Sequence, residues 1–136
     1  YIRPICLPHL KVTRPKVDQE LEVAGWGWKR KELNFRAIET KQKINIKTDS
    51  DESCNANEAK LQQNQACGNY STSDDVCLYE DGGPLVFVYK HRWYQEGIAL
   101  SREKSCLSFS RILVYVKVAD YLDWINENMG KPTSTY

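Results

Sequence analysis

The sequence predicts an all-β domain with two short helices. Three observations carry this. Apolar and polar residues alternate from Leu21 until the run breaks on glycines, and Ile38, Ile44 and Ile46 share a two-residue period within 37–47. Two β-rich runs, 84–89 and 92–100, are separated only by Lys90-His91, the spacing of a hairpin. Helical patterning is confined to a stretch within 48–61 and to residues 119–128.

Taken in order, Tyr1-Ile2-Arg3-Pro4-Ile5-Cys6-Leu7-Pro8 brackets a short apolar run with prolines, which marks an extended connector. His9 and the basic residues through Lys16 read as a solvated loop with no assigned chemistry. Leu21-Glu22-Val23-Ala24-Gly25-Trp26-Gly27-Trp28 alternates and then breaks on glycines, a strand entering a turn, with Trp26 expected as a core anchor. Residues 29–36 read as a charged loop, and 37–47, with Ile38, Ile44 and Ile46 in step, as a strand. A short helix is expected within 48–61, capped at Asp49 or Ser50. His91 falls at the hairpin tip and is read as a solvated turn residue. Residues 119–128 place Tyr121, Leu122, Trp124 and Ile125 on one face, an amphipathic C-terminal helix. The polar residues beyond Gly130 are expected to fray.

With 136 residues, 41% hydrophobic and 27% charged, the chain suits one soluble globular domain. A net charge of +1 with mixed signs gives no footprint for nucleic acid or for an anionic membrane. No apolar run approaches the ~20 residues that span a bilayer, and no signal peptide is apparent. The first residues already read as ordered, so the native N-terminus is expected upstream. The five cysteines show no C-x-x-C spacing, and the two histidines lack neighbours at ligand spacing, so neither metal nor cofactor is expected. A disulfide framework from an oxidising compartment is the better reading. Of the five, one must lack a partner within the chain, and any four allow three pairings. Asn69-Tyr70-Ser71 has the form of a glycosylation acceptor, expected in a surface loop.

The most informative stretch is Asp74-Asp75-Val76-Cys77-Leu78-Tyr79-Glu80-Asp81-Gly82-Gly83-Pro84-Leu85. It resembles the nucleophile loop of chymotrypsin-like (trypsin-fold) serine proteases, D-x-C-x-G-D-S-G-G-P-L. Asp75, Cys77 and Gly82-Gly83-Pro84-Leu85 keep the frame. The chemistry departs: Asp81 stands at the nucleophilic serine, Tyr79 at the oxyanion-loop glycine and Glu80 at the aspartate between them. Further segments resemble the family in the same order. They are the R-P-I-C-L-P connector, V-A-G-W-G at 23–27, Gln65-Ala66-Cys67-Gly68 near x-C-A-G, W-Y-Q-x-G-I at 93–98, Leu113-Val114-Tyr115-Val116-Lys117-Val118 near G-V-Y-T-K-V, and V-A-D-Y-L-D-W-I at 118–125. Y-I-R-P-I-C-L-P and Y-L-D-W-I look most like arthropod clip-domain proteases.

The resemblance implies an antiparallel Greek-key six-stranded barrel, the C-terminal half of the trypsin-like double barrel, with an intermediate helix and a C-terminal helix. Residues 1–20 would be the interdomain connector, 21–129 the barrel and 130–136 a flexible tail. It also implies the bonds Cys54–Cys67 and Cys77–Cys106, leaving Cys6 to tether a second chain; a buried free thiol is the alternative for Cys6. The family's catalytic histidine and aspartate belong to the first barrel, and neither His9 nor His91 replaces them by position.

Acyl transfer by this family needs a hydroxyl deprotonated by histidine and backbone N–H groups facing the developing oxyanion. A carboxylate at Asp81 would repel that oxyanion, and Tyr79 adds a Cβ where glycine permits unusual angles. Carboxylate nucleophiles work elsewhere in sites built around their charge, and nothing here suggests one. The specificity pocket is expected to be degenerate too. Asp75 stands where trypsin-like members hold their acid, though an internally paired or exposed residual acid is the simpler reading. Leu100-Ser101-Arg102 replaces S-W-G, and Leu113 replaces a wall glycine, so the pocket is expected closed with Arg102 near Asp75.

The resemblance therefore implies a secreted, catalytically inactive homologue. It would bind proteases, zymogens or cascade substrates in an extracellular cascade, innate immunity among the settings. The alternatives are a haptoglobin-type carrier and an active peptidase with altered chemistry.

Overall fold

The structure, a computed structural model, describes residues 2–9, 15–26, 28–31, 34–37, 39–56, 60–70, 76–77, 82–100 and 112–130, with 28–31, 34–35 and 76–77 described as backbone. Nine strands, two α-helices and a 3-10 turn are present among these residues. They are β1 (Glu20–Gly25), β2 (Trp28–Lys31), β3 (Asn34–Ala37), β4 (Gln42–Thr48), α1 (Asp51–Ala56), β5 (Gln65–Tyr70), β6 (Val76–Cys77), β7 (Pro84–Tyr89), β8 (Arg92–Leu100), β9 (Ile112–Lys117), the turn Val118–Tyr121 and α2 (Leu122–Met129). Six strands close an antiparallel barrel in the order β1-β4-β5-β9-β8-β7, and β3-β2-β6 form a separate three-stranded sheet.

Alternation sorts the barrel residues onto two faces. Leu21 and Val23 of β1, Ile44 and Ile46 of β4, Leu85 and Phe87 of β7, Tyr94 and Ala99 of β8, and Leu113 and Tyr115 of β9 form one buried cluster. The opposite face of β9 gives Ile112 and Val114 to a second cluster with Cys54 and Cys67. Burying each large aliphatic side chain contributes roughly 1.5–3 kcal/mol, so both clusters count. A register shift between Leu85 and Val86 bends the β7–β8 ladder. The tip of that hairpin is Lys90-His91, both at positive φ (45° and 62°), as a two-residue type I′ turn requires. The Lys90 ammonium lies 5.4 Å from the Tyr89 ring centroid.

The connector runs along β8. Cys6 donates its N–H to the Trp93 carbonyl (3.1 Å) and accepts from the Gln95 N–H (3.0 Å), a parallel bridge opposite Tyr94. This occupies the part of β8 beyond β9, which pairs only with Gly97–Leu100.

Helix α1 starts where the sequence signals it. The Ser50 hydroxyl accepts the Ser53 N–H at 3.1 Å, the N-cap bond. Asp49 carries the arrangement: its carboxylate accepts from the Ser50 N–H (2.7 Å), the Ser53 hydroxyl (2.8 Å) and the Asn69 amide (2.8 Å). The Ser53 hydrogen bond, with those from Asn69 and Ser50, outweighs the opposing desolvation and holds the Asp49 carboxyl below its usual range.

Five expectations are corrected. Within 29–36, read as a charged loop, residues 29–31 and 34–36 lie in the paired strands β2 and β3, Trp28 opposite Ala37 and Lys31 opposite Asn34. The four consecutive charged residues 29–32 break any alternation that could have been detected there. The expected strand over 37–47 is divided: Ala37 ends β3, Glu39 and Thr40 bend, and β4 begins at Gln42; Ile38 lies outside the described residues. Trp26 is not a core anchor. It is 51% exposed with the Lys41 ammonium 5.0 Å above its ring, because β1 and its alternation end at Gly25. The C-terminal helix begins as a 3-10 turn, and α2 buries none of its residues, leaving Trp124 64% exposed. Asn69 lies within β5 rather than in a loop, because β5 pairs with both β4 and β9 there. The tail from 131 lies outside the described residues.

Gly68 is required by close approach. A Cβ there would lie 2.4 Å from the Ile46 Cγ2 and 2.8 Å from the Lys47 carbonyl oxygen, and backbone cannot move aside cheaply. Gly68→Ala is therefore expected to destabilise by about 1–3 kcal/mol, read as a lower denaturation midpoint at unchanged slope. The Asp49 contribution has a pH signature. A carboxyl depressed on folding stabilises fully above its unfolded pKa, and the effect is lost as pH falls through the folded value. The stability gap between wild type and Asp49→Asn should be widest near neutrality and vanish in strong acid. A gap constant across pH would show that the charge contributes nothing.

Candidate functional site

The candidate site lies at the end of the barrel where β7 begins and β8 ends. The chain enters it from β6, whose Cys77 and Val76 pair with Trp28 and Lys29 of β2. The unanticipated β2–β3 hairpin is thus what fixes the approach to the loop. The chain leaves through Gly82-Gly83 into β7. The Gly82 N–H donates to the Ala99 carbonyl at 2.9 Å, and the Ala99 N–H donates to the Gly83 carbonyl at 2.8 Å. These bonds prolong the β7–β8 ladder past Pro84 opposite Ile98. Gly82 has φ +84°, a backbone angle that favours glycine, and among the described residues no atom lies within 4 Å of a Cβ built there.

The sequence-predicted positions divide. Asp75, Tyr79, Glu80, Asp81, Ser101, Arg102 and Cys106 lie outside the described residues, and Cys77 is described as backbone. The pairing of Cys77 with Cys106 and the expected approach of Arg102 to Asp75 therefore lie outside them as well. Leu113 is buried in the barrel core with Leu85, Ala99 and Tyr115. Leu100 does not share that face. It packs with Cys54, Cys67, Ile112 and Val114, because Ala99 faces the core and the next residue must face away. Leu113 therefore fills the barrel interior, while Leu100 serves the outer cluster.

Cys54 and Cys67 are joined by a disulfide, Cα–Cα 6.1 Å, which ties α1 to β5. Cys6 is half-buried and forms no disulfide among the described residues. Tyr70 ends β5, packed against the core, and burial pushes its hydroxyl up to about 12. It stays protonated at any physiological pH and offers no base. Among the described residues no cluster of His, Cys, Asp or Glu could hold a metal ion. No described helix is long and apolar enough to cross a membrane.

A cavity of about 230 Å³ opens at the other end of the barrel, lined by Lys16, Thr48, Asp49, Glu96, Tyr115 and Lys117 among others. Its rim is tied down: Thr48 hydroxyl contacts hold Lys16 and Gln19, and the Lys117 ammonium sits 3.4 Å from the Asp120 carboxylate. It lies away from the Gly82 turn. Sequence reading missed it, since polar residues at strand ends look like ordinary surface.

Comparison with known proteins places these features together. Residues 1–125 match the Trypsin family. The chain is 33% identical over 132 residues to bovine coagulation factor XI, covering 95% of this chain and 20% of that protein. It is 30% identical over 135 residues to CLIP domain-containing serine protease B15 of Anopheles gambiae, covering 95% of this chain and 36% of that protein. It is 29% identical over 143 residues to the phenoloxidase-activating enzyme of Bombyx mori, covering 95% of this chain and 32% of that protein. The chain thus spans roughly a third or less of the length of these relatives.

The turn at Gly82 makes its own prediction. Gly82→Ala should cost about 1–2 kcal/mol through its backbone angle. Gly82→Asn should cost less, since asparagine tolerates positive φ better. Equal losses for the two in denaturant titrations would refute a conformational origin.

Proposed function

The chain belongs to the trypsin family of serine proteases, and from that premise we propose that it is a catalytically inactive member acting by protein binding in an extracellular proteolytic cascade. One observation carries the reading: aspartate occupies position 81, where the family's reaction requires a hydroxyl. A carboxylate cannot be activated by histidine as serine is, and its charge opposes the oxyanion that the loop must stabilise. Tyr79 and Glu80 alter the same loop. Leu113 in the barrel interior is consistent with a filled specificity pocket, and we assign Arg102 to pair with Asp75 across it.

The setting follows from the same features. A disulfide joining α1 to β5 suits an oxidising compartment and hence a secreted protein. Cys6, held by its backbone against β8 with its side chain half-buried, is the proposed tether to a second chain or to the family's first barrel. The exposed Trp124 and Met129 of α2 suit a surface covered by that other half. The names of the relatives, a coagulation factor and a phenoloxidase-activating enzyme, support proteases or zymogens as partners.

The test is hydrolysis of Arg- and Lys-ester substrates by the full-length protein, as wild type and as Asp81→Ser. Neither is expected to turn over. Losing one oxyanion donor alone typically lowers rate ~10²–10³-fold, and a filled pocket removes substrate positioning besides. The Asp81→Ser form should keep its partner binding. Wild-type turnover would overturn the reading; turnover by Asp81→Ser that titrates with an active-site serine reagent would show that a single residue separates this scaffold from a protease.

A further inference from the structure

We propose that Asn69 is a structural hydrogen-bond donor that stays free of carbohydrate, so that the sequon Asn69-Tyr70-Ser71 is silent in the folded protein. Glycosylation replaces a hydrogen on the Asn side-chain nitrogen with a bulky sugar, which needs open surface around that atom. In this fold the Asn69 Nδ2 lies 2.8 Å from the Asp49 Oδ2 and donates to it. The residue is half-buried, and its backbone is paired on both sides, opposite Lys47 in β4 and Ile112 in β9. It is therefore in an interior strand, unlike the exposed loop in which an acceptor is expected.

The surroundings leave the nitrogen little freedom. Alternation puts Asn69 on the same face of β5 as Cys67, which is bonded to Cys54 of α1. The disulfide holds α1 over this face, and Asp49 lies at the start of that helix, bonded to Ser50 and Ser53 as well. On the opposite face Gly68 has no room for a Cβ and Tyr70 packs against the core, so the strand cannot roll to present Asn69 outward. A sugar attached before folding would stand where the first turn of α1 has to seat. Chains modified in that way would keep one N–H on Asn69 but could not seat α1 against the sugar, and the folded population would be the unmodified one.

The proposed secretory route gives the sequon its relevance, but the test is independent of it. The full-length protein is expressed in eukaryotic cells behind a heterologous signal peptide, and the secreted, folded fraction is mapped by mass spectrometry before and after peptide-N-glycosidase treatment. The peptide containing Asn69 is expected unmodified and unchanged by the enzyme. Ser71→Ala removes the sequon and keeps the donor, and should leave yield and Tm unchanged. Asn69→Gln removes the sequon and moves the amide donor out of place by one methylene, and should lower Tm by roughly 2–6 °C. Loss of secretion with Asn69→Gln but not with Ser71→Ala would support the same conclusion. A glycan on Asn69 in the folded protein, reduced secretion of Ser71→Ala, or an unchanged Tm for Asn69→Gln would each overturn it.

Discussion

Strand β1 meets β7 through two register pairs, Glu22 with Val86 and Val23 with Leu85, and this short seam turns an open sheet into a barrel. Closure gives the inward side chains a common interior and leaves none of the six strands with a free edge. The backbones must then approach closely inside a small circumference. At Gly68 the interior has no room for a methyl group between β5 and β4. Leu21, Ile46 and Leu85, from three different strands, are fully buried only because the ring is complete.

Two attachments depend on that ring. On one flank the disulfide and the Asp49 hydrogen bonds fasten α1 to β5, adding Cys54 and Cys67 to the outer cluster. In the chain-entropy picture a closed loop of this length contributes about 3 kcal/mol. On the other flank the connector adds a bridge at Cys6 to the stretch of β8 that β9 leaves unpaired. Each attachment satisfies backbone or side-chain polar groups that closure left available, and each brings one cysteine to the barrel wall.

Strands β1, β4, β7 and β8 were legible from the apolar residues they keep at a two-residue period, and α1 from its cap at Asp49 or Ser50, whereas β5 and β9 were reached only through the family resemblance. The β7–β8 hairpin, with its two-residue turn, is the plainest case: a tight turn between β-rich runs admits little else. The β2–β3 pairing was illegible because the four consecutive charged residues 29–32 interrupt any alternation. Trp26 misled because its size suggests burial while its position past the end of β1 exposes it. At the site, the Gly82-Gly83-Pro84 frame could be read from its motif. The facing of Leu100 could not, because adjacent residues of a strand take opposite sides and a motif does not say which.

The Gly82 turn shows why a reactive loop can change while its frame remains. Gly82 is held at φ +84° by its bond to Ala99, and Ala99 in turn bonds Gly83. These contacts start β7, and β7 makes the seam with β1, so the glycine pair serves barrel closure whatever stands at position 81. Residues that hold the sheet and residues that perform acyl transfer are adjacent in sequence yet answer to different constraints: one to a backbone angle and two hydrogen bonds, the other to a hydroxyl and its base. Under the proposed function a substitution at 81 changes the chemistry of the loop, while the bonds that start β7 are made by the backbone of Gly82 and Gly83. That separation is what allows one barrel to carry either a nucleophile or a binding surface at the same corner.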